Sequence, residues 1–402
     1  MYDILTGLSV VEVSSFVASP TAGLYMGQFG ADVIRVDQIG GGQDFRRWPV
    51  TRENDSLGWE NLNRAKRSLA LDLTRPEGRK LLVELTRKIG NLITNLPVKG
   101  FLAHDKLAEG RPDLVTVRIM GWPDGSVALD YTANAAVGYT ALTGPLEDPR
   151  PVNHVLPAWD LLTGAYAAFA LLAAIRRREQ TGLGGEVRLP LTDIAMGSAA
   201  NLGRVAEVLY TGQDRERLGN AVFGTIGRDF LTRDGDRLMI VAINERQWQG
   251  LVKALGLAEG LAALEAQLGV TFANDDGTRF RNRMAIFALI EAEVAKYDHA
   301  DLAALLDANG VVHGPYRTMV EAVQDPRLLT ENPMFAPSSD NPSGFAYPAA
   351  GAFATLPGLE RKPASPAPRN GQHSEAVLAE LLGLSSGQIA HLIDTGIVGT
   401  DQ

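Results

Sequence analysis

Asp160 is a lone carboxylate set directly before the almost wholly apolar run Leu161 to Ile175, in the stretch Pro157-Ala158-Trp159-Asp160-Leu161-Leu162-Thr163-Gly164. The run is rich in helix formers, follows a proline and ends at Arg176-Arg177-Arg178, so it reads as a buried helix. Unpaired amides and the positive end of the helix dipole would favour an ionised Asp160 at its start, and the arginines complement the other end. Two roles are open to such a residue. One is an ordinary helix cap. The other is a carboxylate nucleophile, kept anionic at the floor of a site, that attacks an activated carbonyl.

Around this carboxylate the sequence offers cations but no other nucleophile of comparable promise. Arg46, Arg47, Arg52, Arg64, Lys66 and Arg67 fall within one short segment, in a chain whose formal net charge is -9. That cluster is either a solvated basic face or a local anion site within an acidic protein. His154 lies shortly before Asp160 and reads as a loop histidine, a core histidine or a donor to an acidic substrate. Cysteine is absent, which excludes disulfides, thiolate metal sites and a Cys nucleophile. No H-E-x-x-H or similar ligand cluster occurs, so no metal is expected. The negative charge argues against nucleic acid as a partner. The Met1-Tyr2-Asp3-Ile4-Leu5 start lacks a positive leader, and the longest apolar run falls short of the ~20 residues of a membrane span. A soluble cytoplasmic protein with no membrane partner is expected.

The elements that must position these residues alternate. Strand signals at Ser9 to Val13, Asp32 to Val36, Ser68 to Leu73, Leu92 to Thr94, Leu114 to Ile119 and Val187 to Leu191 are separated by helical ones, including Thr21 to Phe29 and a helix with Pro76 near its start and Gly90 beyond its end. This order predicts an α/β large domain built on an open parallel, Rossmann-like sheet. Its first turn, Ser14 to Pro20, lacks G-x-G-x-x-G, which excludes a nicotinamide enzyme. Helical signal continues from Asp193 to Tyr210, and a polar turn follows. Arg237 to Ile243 reads as a strand, and Glu245 to Leu255, Arg279 to Lys296 and Asp301 to Ala308 read as helices of a smaller α/β domain. The segment from Asp325 to Arg369 is rich in proline and expected to be extended. Helices at His373 to Leu382 and Ser386 to Asp394 close the chain. The boundaries read are 1–211 for the large domain, 212–324 for the small one and 325–402 for a return segment.

Several motifs then match one family in its own order: Leu5-Thr6-Gly7-Leu8-Ser9-Val10-Val11-Glu12-Val13, Gly30-Ala31-Asp32-Val33-Ile34-Arg35-Val36-Asp37, Asn63-Arg64-Ala65-Lys66-Arg67-Ser68, the Asp160 stretch, and Pro366-Ala367-Pro368-Arg369-Asn370-Gly371-Gln372-His373. The chain resembles the class III CoA-transferases, nearly end to end. The resemblance implies that Asp160 carries first the acyl group and then CoA, with no cofactor beyond CoA itself as part of the substrate. It implies an acyl-CoA substrate, a second copy of the chain as partner in an interlocked homodimer, and a C-terminal part that returns to the large domain. By the same resemblance Phe16, Val17 and Ala18 line the pantetheine channel, Asn63, Arg64, Lys66, Asn95 and Leu96 face the nucleotide, and Arg35, in the family's strand, and Lys99, near a position where relatives carry an arginine, are further CoA-site candidates.

A narrower likeness runs through Gly40-Gly41-Gly42-Gln43-Asp44-Phe45-Arg46-Arg47-Trp48-Pro49, Val152-Asn153-His154-Val155-Leu156-Pro157 and Phe223-Gly224-Thr225-Ile226-Gly227-Arg228. It is similar to members that move CoA between the two carboxyl groups of one branched C5 dicarboxylate. A free carboxylate needs a cation or strong donors, and Arg47, His154 and Arg228 are the candidates. Transfer between two separate acids is the alternative, and a non-catalytic CoA-binding scaffold is a third. The related racemases use a His-Asp pair, where this chain has Leu129-Asp130, so proton abstraction there is disfavoured.

Overall fold

The computed structural model describes residues 1–401. In chain order the strands are β1 (Ser9–Val13), β2 (Asp32–Asp37), β3 (Lys66–Leu71), β4 (Asn91–Thr94), β5 (Val115–Met120), β6 (Gly185–Pro190), β7 (Ile226–Leu231), β8 (Arg237–Ala242), β9 (Val312–Pro315), β10 (Phe335–Ser338), β11 (Tyr347–Ala350) and β12 (Val398–Gly399). The chain folds as two units. The first comprises residues 1–137, 154–213 and the chain from 326 onward, and the second comprises 138–153 and 214–325.

The first unit is a seven-stranded sheet in the order β12-β3-β2-β1-β4-β5-β6. Every pairing in it is parallel except β12 with β3. The sequence predicts this open parallel sheet, and the strands are mostly buried because helices cover both faces, with Glu12, Arg35, Lys66 and Arg118 as buried charges among the apolar positions. Val11, Ile34, Leu69 and Leu92 pack on one side with Leu82, Leu85 and Val377, while Val10, Val33, Ile93 and Val117 pack on the other with Ala22, Met26, Ala167 and Leu171. Strand order reverses at β1, whose neighbours are β2 and β4. A crevice therefore opens beyond the carboxyl ends of β1 and β4, the usual ligand position in such sheets.

Two helices, Ala18–Gln28 and Ala158–Thr181, lie together on that second face. They approach unusually closely at Gly164, where a Cβ would stand 2.6 Å from the Ala18 carbonyl oxygen and 2.6 Å from Thr21 Cβ. A side chain at Gly164 would push the helices apart and move Asp160, one turn earlier.

The second unit is an antiparallel three-stranded sheet, β7-β8-β9. Phe230, Leu238 and Ile240 from its strands pack with Trp248, Leu251, Phe287, Ile290, Leu302 and Leu306 from its helices.

Some elements differ from the sequence reading. The first helix begins at Ala18, since Pro20 fits its first turn. The stretch read as one helix to Tyr210 is broken at Gly203 (φ 77°) into Leu191–Asn201 and Arg204–Thr211. Strands β7 and β9 escape the sequence reading because their charged and glycine positions hide the alternation. The proline-rich segment is not wholly irregular: β10 and β11 form an antiparallel hairpin within it. The helix carrying Asp160 extends well past the apolar run, to Thr181. By length and composition alone it could span a membrane, contrary to the expectation from the shorter run.

Candidate active site

Asp160 is the third residue of its helix, not the cap. Capping falls to Asp130, which is only 2% exposed. Its Oδ2 accepts the backbone N–H of Trp159 at 2.7 Å and of Asp160 at 3.0 Å. Its Oδ1 lies 2.6 Å from His154 Nε2, which places the donated proton on that nitrogen. Capping by a residue far off in sequence leaves the Asp160 carboxylate without a capping duty. It makes no side-chain hydrogen bond among the described residues and lines a cavity of about 540 Å³. Burial, reinforced by the Asp130 carboxylate and opposed by Arg47, pushes Asp160 up to about 6. At neutral pH it is still mostly ionised, but weakly solvated, which is the condition of a usable oxygen nucleophile.

The other wall of the cavity comes from the switch point of the sheet. Ser15 and Phe16 leave β1 while Asn95 and Leu96 leave β4, and Asn95 ties the two exits together. Its Oδ1 accepts the Ser15 N–H at 3.2 Å, and its Nδ2 donates to the Ser15 carbonyl at 2.9 Å. Phe16, Ala18, Asn95, Leu96 and Lys99 all line the cavity with Asp160, together with Arg188, which no sequence signal singled out. Val17 is the residue just before the first helix and is not part of this lining. Arg47 reaches the same neighbourhood. Its guanidinium stands 4.7 Å from the Phe16 ring centre, and its charge is felt by Asp160.

The other residues expected at the CoA site do not line this cavity. Arg35 is buried and grips Asp37 through Nε and Nη2 (2.8 Å for the latter) and Glu12 at 2.6 Å. Lys66 is buried on Glu12 at 2.8 Å and on Asn63 Oδ1 at 2.8 Å. Resemblance makes both residues CoA-site candidates; in the structure their charges meet buried carboxylates, above all Glu12 in β1, whose burial requires such partners. Gly23 belongs to the same arrangement, since a Cβ there would fall 1.8 Å from Glu12 Oε2. Asn63, Arg64 and Lys66 line neither this cavity nor a second one of about 950 Å³, which Arg35, Asp37, Asp44 and Phe16 share.

Arg228 belongs to the second unit, where it pairs with Glu291 at 3.2 Å and stacks over Phe230 and Phe287. Trp159 is buried, whereas Trp48 is 84% exposed. No group of three or more His, Asp or Glu suited to a metal occurs among the described residues. Asp130 and Asp44 are the functional candidates that sequence reasoning passed over. The Leu129-Asp130 stretch drew notice only for the base it lacks, because nothing local reveals a cap donated to a distant helix.

Comparison with known proteins shows the family. Residues 5–374 match CoA-transferase family III, and the chain belongs to that family. It is 44% identical to a 2-methylfumaryl-CoA isomerase of Chloroflexus aurantiacus, over 99% of this chain and 98% of the relative. It is 28% identical to a succinate–glutarate CoA-transferase of Agrobacterium fabrum, over 94% of this chain and 95% of that one. Among solved structures, a CaiB/BaiF family protein from Brucella suis superimposes with a TM-score of 0.77 at 28% identity, covering 95% of this chain and 100% of the other.

Proposed function

We propose that this enzyme moves CoA from one carboxyl group of 2-methylfumarate to the other, converting 2-methylfumaryl-CoA to 3-methylfumaryl-CoA. The observation that carries the reading is Asp160 itself, a carboxylate relieved of capping, on the wall of a cavity and within electrostatic reach of Arg47. The full-length likeness to the Chloroflexus isomerase supports the choice of acid.

The steps balance without a cofactor. An Asp160 oxygen attacks the thioester carbonyl, the C–S bond breaks, and CoA leaves as thiolate from a mixed anhydride. The thiolate attacks the Asp160 carbonyl of that anhydride, and the C–O bond breaks to give an aspartyl-CoA thioester and the free dicarboxylate. The other carboxylate of the same molecule then attacks this thioester and expels thiolate. Thiolate finally attacks the substrate carbonyl of the second anhydride and restores Asp160. The route divides one difficult displacement into easier steps, and the two ends, both thioesters of the same acid, are of similar energy. In this reading Phe16, Val17, Ala18, Asn95, Leu96 and Lys99 accommodate CoA, while Arg47 and His154 face the free carboxylate. Supplied with 2-methylfumaryl-CoA alone, the enzyme should form 3-methylfumaryl-CoA, and labelled free 2-methylfumarate should stay out of the product. Label entering as fast as turnover would favour transfer between separate acids, the reading that kinship with the Agrobacterium enzyme supports.

The proposal includes a cytoplasmic homodimer. Leu162, Tyr166, Phe169 and Leu172 form an exposed apolar stripe along the Asp160 helix, and Leu209 and Tyr210 are also exposed. A stripe at this spacing on one helix face calls for an apolar cover, and a second, interlocked copy supplies it. Light scattering should report a dimer whose subunits do not exchange on dilution; a stable monomer would contradict it.

A further inference from the structure

Phe16 holds a backbone conformation that bulky residues avoid, with φ at 70°. Its N–H donates to Asp44 Oδ2 at 2.8 Å, so a carboxylate from the Gly40–Arg47 loop fixes it there. Arg47 lies 3.7 Å from the other oxygen of Asp44 and packs its guanidinium on the Phe16 ring. That second oxygen is buried and makes no hydrogen bond among the described residues, and Arg35 stands 4.0 Å from Oδ2. The loop is secured separately. Phe45 stacks on Trp59 with ring centres 3.9 Å apart, and the Ser56 hydroxyl donates to the Arg47 carbonyl at 2.6 Å. Phe16 lines both the Asp160 cavity and the second cavity beside it.

We propose that Phe16, Asp44 and Arg47 form a retention clamp, with Asp44 as its positioning residue, that keeps the free dicarboxylate beside Asp160 while CoA is on the enzyme. The inference rests on the intramolecular reading above. Once the dicarboxylate is free of the anhydride, no covalent bond holds it, and only contacts oppose its escape. Arg47 is suited to that task because Asp44 orients it from beyond hydrogen-bond distance, leaving its N–H groups available for a carboxylate. Its side chain makes no hydrogen bond among the described residues. Phe16 supplies the flat face beneath the guanidinium and lines both cavities.

The test measures labelled 2-methylfumarate incorporated per turnover of unlabelled 2-methylfumaryl-CoA, in the wild type and in two variants. Asp44→Asn keeps an acceptor for the Phe16 N–H but removes the charge beside Arg47. Phe16→Gly removes the ring at a position whose φ glycine adopts freely, and it serves where the buried Asp44 site does not tolerate change. Label per turnover should rise about tenfold or more in each, the scale of losing one charge-assisted contact. A purely structural role would lower turnover and incorporation together and leave their ratio unchanged. Retention in the wild type and in both variants overturns the clamp alone. Free incorporation by the wild type overturns the intramolecular reading and the clamp with it.

Discussion

Asp160→Asn is expected to lose activity by a factor on the order of 10⁴ or more and, at neutral pH, to melt at a higher temperature than the wild type. The first effect follows because an amide oxygen cannot form the anhydride or carry CoA. The second follows from the direction in which the carboxyl group is pushed. Burial and the neighbouring Asp130 raise Asp160 to about 6, so the folded protein binds this proton more tightly than the unfolded chain does. The resulting stability is full below about 4, where an unfolded Asp titrates, and is lost as pH rises to about 6. Above that the fold carries the cost of an ionised, half-desolvated carboxylate, on the order of 2 to 3 kcal/mol. Asparagine has the same shape and no charge, so the cost disappears and the melting temperature should rise by several degrees. Calorimetry at pH 7.5 and at pH 4 checks the sign, since the gain should shrink at the lower pH. A variant that melts lower at pH 7.5, or that retains substantial turnover, would remove Asp160 from the role given to it.

The fold was legible where a local pattern and the global sheet agree. The β-branched runs of β1, β2 and β5 are largely apolar because both sheet faces are covered, and Gly90 ends its helix in the left-handed conformation (φ 80°) that glycine favours. Asp160 stood out because a single charge before an apolar helix is conspicuous. What the sequence hides is pairing across distance. Arg35 and Lys66 look like anion contacts when read locally, and only the sheet register shows that both flank Glu12, whose burial demands them. Asp130 caps a helix that starts far along the chain, and Asp44 reaches back to Phe16. No periodicity records either contact, since each depends on where separate loops meet beyond the strand ends.

Arg47→Ala should lower kcat/KM by about 2 to 4 kcal/mol in transition-state stabilisation and move the acid limb of its pH profile upward. Arg47 opposes the two influences that raise Asp160, so its loss leaves burial and Asp130 unbalanced and keeps the nucleophile protonated to higher pH. It also removes the cation that meets the free carboxylate, so the deficit persists on the plateau where Asp160 is fully ionised. Asp130→Asn acts with the opposite sign on the limb. It removes the repelling charge yet retains a carbonyl oxygen for the Trp159 and Asp160 amides, so the limb should move below that of the wild type. Because the limb of kcat/KM reports the free enzyme, the two shifts can be compared directly. Limbs that move in the same direction would show that the variants act through general loosening rather than charge. An Arg47→Ala enzyme with a wild-type plateau would remove Arg47 from the carboxylate contact.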